Sequence, residues 1–443
     1  MKIGLIAMSG VRAQSEELNR VGLTLPGFVE RRQVIASMPS LSLLTLAALT
    51  PPYIEVEYRE IKDLREQQVF PDDYDLVAIT SFSAQILDAY RVADWYLAKG
   101  IPVVLGGLHA TALPEEAKVH ATSVIVGEGE PLWPSVIRDA ERGQLQPFYK
   151  QKPGQWFDLA DSPIPSYELL ELDKYNRLTV QTSRGCPHRC EFCASSILLT
   201  PKYHVKPVAR VLGEIRYIKT LWKHPFIEFA DDNSFVIREH YKQLLRALTP
   251  ERIHWFTETD ISVAEDEELL ELMRESGCQQ ILIGLESPQA SGLNGLEQRR
   301  NWKLKQLPSY EAAIERIQSR GITVNGCFIL GLDGHTPEIF DEVYNFVERS
   351  GLYEVQITVQ TAFPGTPLYA RLKAEDRIIE DGRWDKCTLF DVNFIPTHMT
   401  PDELQRGLVD LGRRLYADEF RADRRRQFKK QLRSARFAPA TLV

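Results

Sequence analysis

Three thiols, Cys186, Cys190 and Cys193, stand in a Cys-x3-Cys-x2-Cys array. A β-type run, Leu178 to Gln181, leads into them, and Gly185 and Pro187 break that strand as the thiols begin. Three thiolates on a tight loop hold three irons of a cubane cluster and leave the fourth iron without a protein ligand. An open iron can chelate a substrate and pass it an electron. Zinc usually takes four Cys or His ligands. The nearest fourth, His188, lies inside the loop and is poorly placed to close a tetrahedron. A disulfide with a spare thiol suits an oxidising compartment, which nothing in this chain suggests. The spacing favours the cluster.

A chain of 443 residues is long enough for two or three domains at roughly 150 residues each. Its hydrophobic share of 44% and charged share of 26% imply buried cores rather than disorder. A net charge of −8 argues against a nucleic-acid partner. Six cysteines, three of them clustered, make no disulfide framework. No apolar run approaches the ~20 residues that cross a bilayer. The opening residues read as a first β-strand rather than a signal peptide. A reducing cytoplasm is the expected location.

Strand and helix patterns then alternate. Residues 1–145 contain five short strands, beginning with Lys2 to Met8 and ending with Ser123 to Val126. With their helices they predict a doubly wound parallel sheet, whose ligands sit beyond the carboxyl ends of its strands. The glycine-rich segments fall there: Gly106-Gly107 and Gly127-Glu128-Gly129-Glu130. A dinucleotide site would need Gly-x-Gly-x-x-Gly after the first strand, where this chain has only Gly10. Pro147, Pro153, Pro163 and Pro165 mark residues 146–176 as an extended linker. Residues 177–370 repeat strand then helix six times, with polar residues at the strand ends. Six units predict a partial (β/α)6 barrel, open rather than closed. Residues 371–443 predict a mostly helical segment, with a cap-like Thr400-Pro-Asp-Glu.

The cysteine spacing resembles the signature of the radical S-adenosylmethionine (SAM) superfamily. That resemblance implies a [4Fe-4S] cluster on Cys186, Cys190 and Cys193, SAM on the open iron, and cleavage to a 5′-deoxyadenosyl radical. It carries Asp231, Asp232 and Asn233 to the SAM amino group. Glu258, Glu286 and Ser287 become candidates for the ribose and methionine, and Leu330 and Gly331 for the adenine. Each taken alone reads as ordinary turn chemistry. Their order along the chain is what discriminates. Cys278, Cys327 and Cys387 read as buried small hydrophobes.

The first domain is similar to the cobalamin-binding domain found ahead of many radical SAM barrels. The resemblance implies that Gly106, Gly107, Gly127, Glu128 and Gly129 admit the nucleotide tail, with Ser81 and Ser83 meeting it and His109 making a loop or tail contact. Many cobalamin proteins ligate cobalt with a His after the first strand. This chain has no His before His109, as is common in the subgroup that includes hopanoid methylases.

The resemblance implies a cobalamin-dependent radical SAM enzyme. Its expected activity is methyl transfer to an unactivated carbon of a small-molecule or lipid substrate, with a flavodoxin- or ferredoxin-type reductant. A rearrangement or cyclisation without methyl transfer is one rival. A non-catalytic metal-binding module is another. A tRNA methylthiotransferase would need three N-terminal cysteines, and none precedes Cys186. Between Arg421 and Arg436, eight Lys or Arg less Asp423 leave +7. That stretch reads as a solvated helix or as a docking face for an anionic membrane or an acidic reductant.

Overall fold

The computed structural model describes residues 1–21, 38–66, 69–195, 198, 202–298 and 300–437; residues 438–443 of the expected C-terminal segment lie outside them. The first strand, β1 (Lys2–Met8), is apolar along nearly its whole length and buried from Ile3 onward. A strand apolar on both faces needs cover on both, which a parallel sheet between helices supplies. β1 is joined by β2 (Glu55–Ile61), β3 (Leu76–Thr80), β4 (Val103–Gly106), β5 (Ser123–Val126) and β6 (Phe148–Lys150). All pair in parallel in the order β2-β1-β3-β4-β5-β6. Ile6, Val77, Val103 and Leu105 face the helix Ile86–Ala98. Ile3, Leu5, Ala78, Val104 and Ile125 face the helix Leu41–Leu49 and Trp133. The sheet is doubly wound.

Among the described residues the sheet has six strands, where the sequence reading gives five. The sixth, β6, falls at the start of the stretch read as an extended linker, with Val124 beside Phe148. Three residues are too few for a periodicity to announce them. The rest of that stretch carries short 3-10 turns at Leu159–Asp161, Tyr167–Leu169 and Leu172–Lys174.

β7 (Leu178–Val180) opens the second sheet. β8 (Ser183–Arg184) and β9 (His204–Val205) form a small antiparallel pair that flanks the cysteine loop. β10 (Phe226–Ser234), β11 (His254–Thr259), β12 (Cys278–Glu286), β13 (Thr323–Leu330) and β14 (Glu354–Val359) complete it. The order is β14-β13-β12-β11-β10-β7, all parallel. Among the described residues β7 and β14 are not paired, and the barrel is partial and open with six strands.

The C-terminal segment closes over the free edge of β14, where Val359 N donates to Leu389 O at 2.8 Å. It also reaches the first sheet. Asp391 accepts from the backbone N–H groups of Gln14 and Ser15, and Trp384 enters the core beside Ile86 and Tyr90. Thr400 and Glu403 form a capping box on the helix Pro401–Leu415, as Thr400-Pro-Asp-Glu predicts. The basic helix Asp418–Phe437 is packed rather than frayed: Arg424 is buried, and Phe420 stacks on Tyr344.

Candidate active site at the interface of the two sheets

Two adjacent carboxylates shape the cysteine loop. Asp231 and Asp232 lie within β10, where neighbouring side chains face opposite ways. Asp231 is buried. It accepts from the N–H groups of Thr182 and Ser183 at 2.7 and 2.8 Å, and from the hydroxyls of Ser234, Tyr241 and Thr182. Asp232 faces the cavity. Its Oδ2 accepts from Gly185 N at 2.8 Å, and its Oδ1 accepts from Ser195 Oγ. One carboxylate therefore clasps the cysteine loop on both sides of its thiols. Gly185 makes the turn at φ +90°, a left-handed conformation that suits glycine.

Cys186, Cys190 and Cys193 line one cavity of about 390 Å³ at the carboxyl ends of the barrel strands. Among the described residues, no three His, Cys, Asp or Glu side chains converge as ligands of a single ion do. A cubane cluster instead gives each thiolate its own iron, so three thiols spread around one cavity fit it. Burial pushes the Cys186 thiol up to about 12, and coordination must displace such a proton. His188 is spoken for: Nε2 meets Asp260 Oδ2 at 3.2 Å and Nδ1 meets Glu297 Oε1 at 3.3 Å.

The same cavity receives Asp232, Asn233, Glu258 and Glu286. Asn233 is fixed by Asp260, with Nδ2 donating to Oδ2 at 2.9 Å and Oδ1 accepting from the Asp260 N–H at 3.1 Å. Glu258 projects from β11 into the cavity, within the barrel. That enclosure, with the carboxylates of Glu228, Asp232, Asp231 and Glu286, pushes its carboxyl up to about 8. Lys303, which the sequence reading misses, donates to Glu286 Oε1 at 2.6 Å and to Gly284 O at 2.9 Å. Burial opposes its charge, but Glu286 overrides it and raises the ammonium above its usual range. Carboxylates for an ammonium and hydroxyls, with one lysine for a carboxylate, are the donor set a methionine derivative needs.

Four residues expected at SAM do not line this cavity. Asp231 is committed to the loop backbone. Ser287 Oγ bonds His335 Nε2 at 2.9 Å and accepts from Gln289 N. Leu330 is fully buried, and its neighbour Ile329 faces the cavity instead. At Gly331 a Cβ would lie 2.6 Å from Leu404 Cδ2, so glycine here admits the C-terminal helix rather than a ligand. In each case the expected residue sits one position from one that does face the cavity or lies just beyond its strand. A strand-end motif does not reveal which way the pleat points.

A second cavity, of about 310 Å³, opens at the ends of β3, β4 and β5. Gly106, Gly107, Gly127, Glu128 and Gly129 line it, with Leu43, Leu46 and Trp133 as its apolar wall. Gly107 and Gly127 take φ of +100° and +99°. A Cβ on Gly129 would enter the space beside Leu46 at 3.5 Å. A slot with apolar walls and bare backbone fits a flat heteroaromatic tail. Among the described lining residues there is no His. Ser81, Ser83 and His109 lie outside it. Ser81 Oγ donates to Phe82 O. His109 is buried between Ser83 Oγ at 3.0 Å and Glu116 Oε1 at 3.2 Å. Gln181, Arg184, Ser195 and Asp232 supply the barrel side of this cavity.

Residues 180–347 match the family model of the radical SAM superfamily, and residues 366–441 match a domain of unknown function, DUF4070. Bacteriochlorophyllide d C-12(1)-methyltransferase of Chlorobaculum tepidum is 30% identical over 86% of this chain and 83% of its own. Hopanoid C-2 methylase of Rhodopseudomonas palustris is 29% identical over 82% of this chain and 69% of its own. The radical SAM methyltransferase TsrM of Kitasatospora setae, solved with cobalamin and a [4Fe-4S] cluster, has the same fold: TM-score 0.62 at 14% identity, over 98% of this chain and 88% of that one. An open barrel carrying this cysteine loop, behind a doubly wound sheet, defines a radical SAM enzyme. The chain belongs to the B12-binding-domain family of radical SAM enzymes, and it is similar to the hopanoid methylases.

Proposed function

We propose that this enzyme is a cobalamin-dependent C-methyltransferase acting on an unactivated carbon of a small-molecule or lipid substrate. The observation that carries this reading is the shared wall: Ser195 and Asp232 line both cavities. When bound, the cluster and SAM supply one-electron activation of a C–H bond, and cobalamin supplies the methyl group.

The chain's own residues hold and orient. Cys186, Cys190 and Cys193 hold the cluster. Asp232 fixes both flanks of their loop. Asn233, Glu258 and Glu286 face the ammonium and hydroxyls of SAM, and Lys303 faces its carboxylate. Gly106, Gly107, Gly127 and Gly129 leave backbone open to the cobalamin tail. Phe192, Phe363 and Leu389 give the cavity apolar lining, which would limit water around a reactive centre. Substrate meets both sites where the two sheets face each other.

A flavodoxin- or ferredoxin-type reductant remains the expected electron source. The basic helix does not suit its docking. It packs beside Gly321 and Gly351, where β13 and β14 begin, whereas the cysteine loop lies at the opposite, carboxyl ends of the strands. No helix among the described residues is long and apolar enough to cross a membrane. Peripheral contact through that basic face stays part of the proposal, as does a cytoplasmic location.

The test is anaerobic incubation of the reconstituted chain with SAM, cobalamin, a reductant and candidate substrates. The reading expects deoxyadenosine and a product heavier by one CH2. An unchanged product mass would assign rearrangement or cyclisation instead.

A further inference from the structure

Arg184 ties the glycine-rich turn of the first sheet to the strand that leads into the cysteine loop. It is the second residue of β8 and stands two residues before Cys186. Its guanidinium reaches the glycine-rich turn of the first sheet. Nη1 donates to Glu128 Oε1 at 2.6 Å, and Nη2 donates to Glu130 Oε1 at 2.7 Å. Nη2 also donates to Gln181 Oε1 at 2.8 Å. All four residues line the glycine-lined cavity.

The turn is held from behind as well. Glu128 is 5% exposed, and its other oxygen accepts from Gln151 Nε2 at 2.6 Å and from Phe157 N at 2.7 Å. On the barrel side, the next residue after Arg184 is Gly185, whose N–H is bound by Asp232, which in turn accepts from Ser195. An unbroken run of hydrogen bonds and peptide bonds leads from Glu128 and Glu130 to both flanks of the cluster cysteines.

We propose that Arg184 is a positioning residue that makes the cluster loop respond to occupancy of the glycine-lined cavity. This rests on the reading that the glycine-lined cavity takes cobalamin. A ligand seated against Gly127 and Gly129 sets the position of Glu128 and Glu130. Those carboxylates can shift only by carrying the guanidinium with them or by leaving buried charges unpaired, which is strongly unfavourable. The planar fork of arginine grips two carboxylates at once, whereas an ammonium is a single point charge. Lysine at this position loses the two-point grip while keeping the charge.

The experiment uses the full chain with its cluster reconstituted anaerobically, and hydroxocobalamin as the probe. Corrin binding is read by absorbance, and the reduced cluster is read by electron paramagnetic resonance with and without corrin. Wild type is expected to bind corrin and to shift its cluster signal on doing so. Arg184→Lys and Glu130→Gln are expected to bind corrin within about tenfold of wild type, yet to show less than half of that shift. Glu130→Gln keeps the Arg184–Glu128 pair, so it serves if Arg184→Lys does not fold. An undiminished shift in Glu130→Gln overturns the inference, as does a wild-type signal blind to bound corrin. Wild type that binds no corrin overturns the functional reading beneath it.

Discussion

Ser195 donates its hydroxyl to Asp232, and the pair stands in the wall of both cavities. Ser195 follows the last cluster cysteine, and the second oxygen of Asp232 binds Gly185 N ahead of the first. Asp232 therefore binds the cysteine loop on both sides of its thiols. Asp232→Ala leaves the Gly185 N–H without its partner, at about 1–3 kcal/mol. Reconstituted Asp232→Ala is expected to hold less than half the wild-type iron, measured as iron and sulfide per chain. Asp232→Asn keeps an acceptor for Gly185 and a donor toward Ser195 Oγ, and is expected to lie between the two.

Lys303 and Glu286 form a buried pair at 2.6 Å. Lys303→Ala leaves Glu286 buried and unpaired, and a loss of about 3–5 kcal/mol is expected. Adding Glu286→Gln removes the stranded charge and should restore part of that loss. It should not restore SAM affinity, because both groups face the cavity. Thermal melts and SAM titration of the two single variants and the double variant separate the effects.

Glu258 gives a pH signature. Enclosure and neighbouring carboxylates raise its carboxyl to about 8 from 4.5. Between those values the folded, ligand-free chain keeps a proton that the unfolded chain has lost. Stability from this group therefore falls as pH rises through that window. Glu258→Gln is expected to melt above wild type at pH 9 and to converge with it near pH 5. SAM, whose ammonium favours the carboxylate, should release a proton on binding at pH 6–7. Calorimetry in buffers of different ionisation enthalpy reads that release.

Gly331 separates packing from ligand binding. At φ +83° and with Leu404 in the way, Gly331→Ala strains the backbone and the C-terminal helix, costing about 1–3 kcal/mol. Melting temperature is expected to fall while SAM affinity holds within threefold. A selective loss of SAM affinity would restore Gly331 to the adenine site.

The parts legible in the sequence are those whose signal is local. Cys186, Cys190 and Cys193 declare themselves by spacing, β1 by an apolar run, and the helix at Pro401 by Thr400 and Glu403. The parts missed depend on which chains meet. Lys303 reaches the cysteine cavity from a helix beyond β12, and Arg184 meets Glu128 across 56 positions of sequence. Asp231 and Asp232 look alike in sequence, and only the pleat of β10 sends one to the loop backbone and the other to the cavity. His109 reads as a ligand contact because it follows Gly106-Gly107. It turns instead toward Ser83 and Glu116.

The proposed function requires one chain to hold two cofactors across a shared wall. Metal analysis of the anaerobically purified chain, expressed with cobalamin supplied, tests it most directly. About four irons and about one cobalt per chain are expected, and no single cysteine variant should lose both: Cys190→Ala should lose iron and keep cobalt. A wild-type chain that holds its iron but no cobalt would contradict the proposed function.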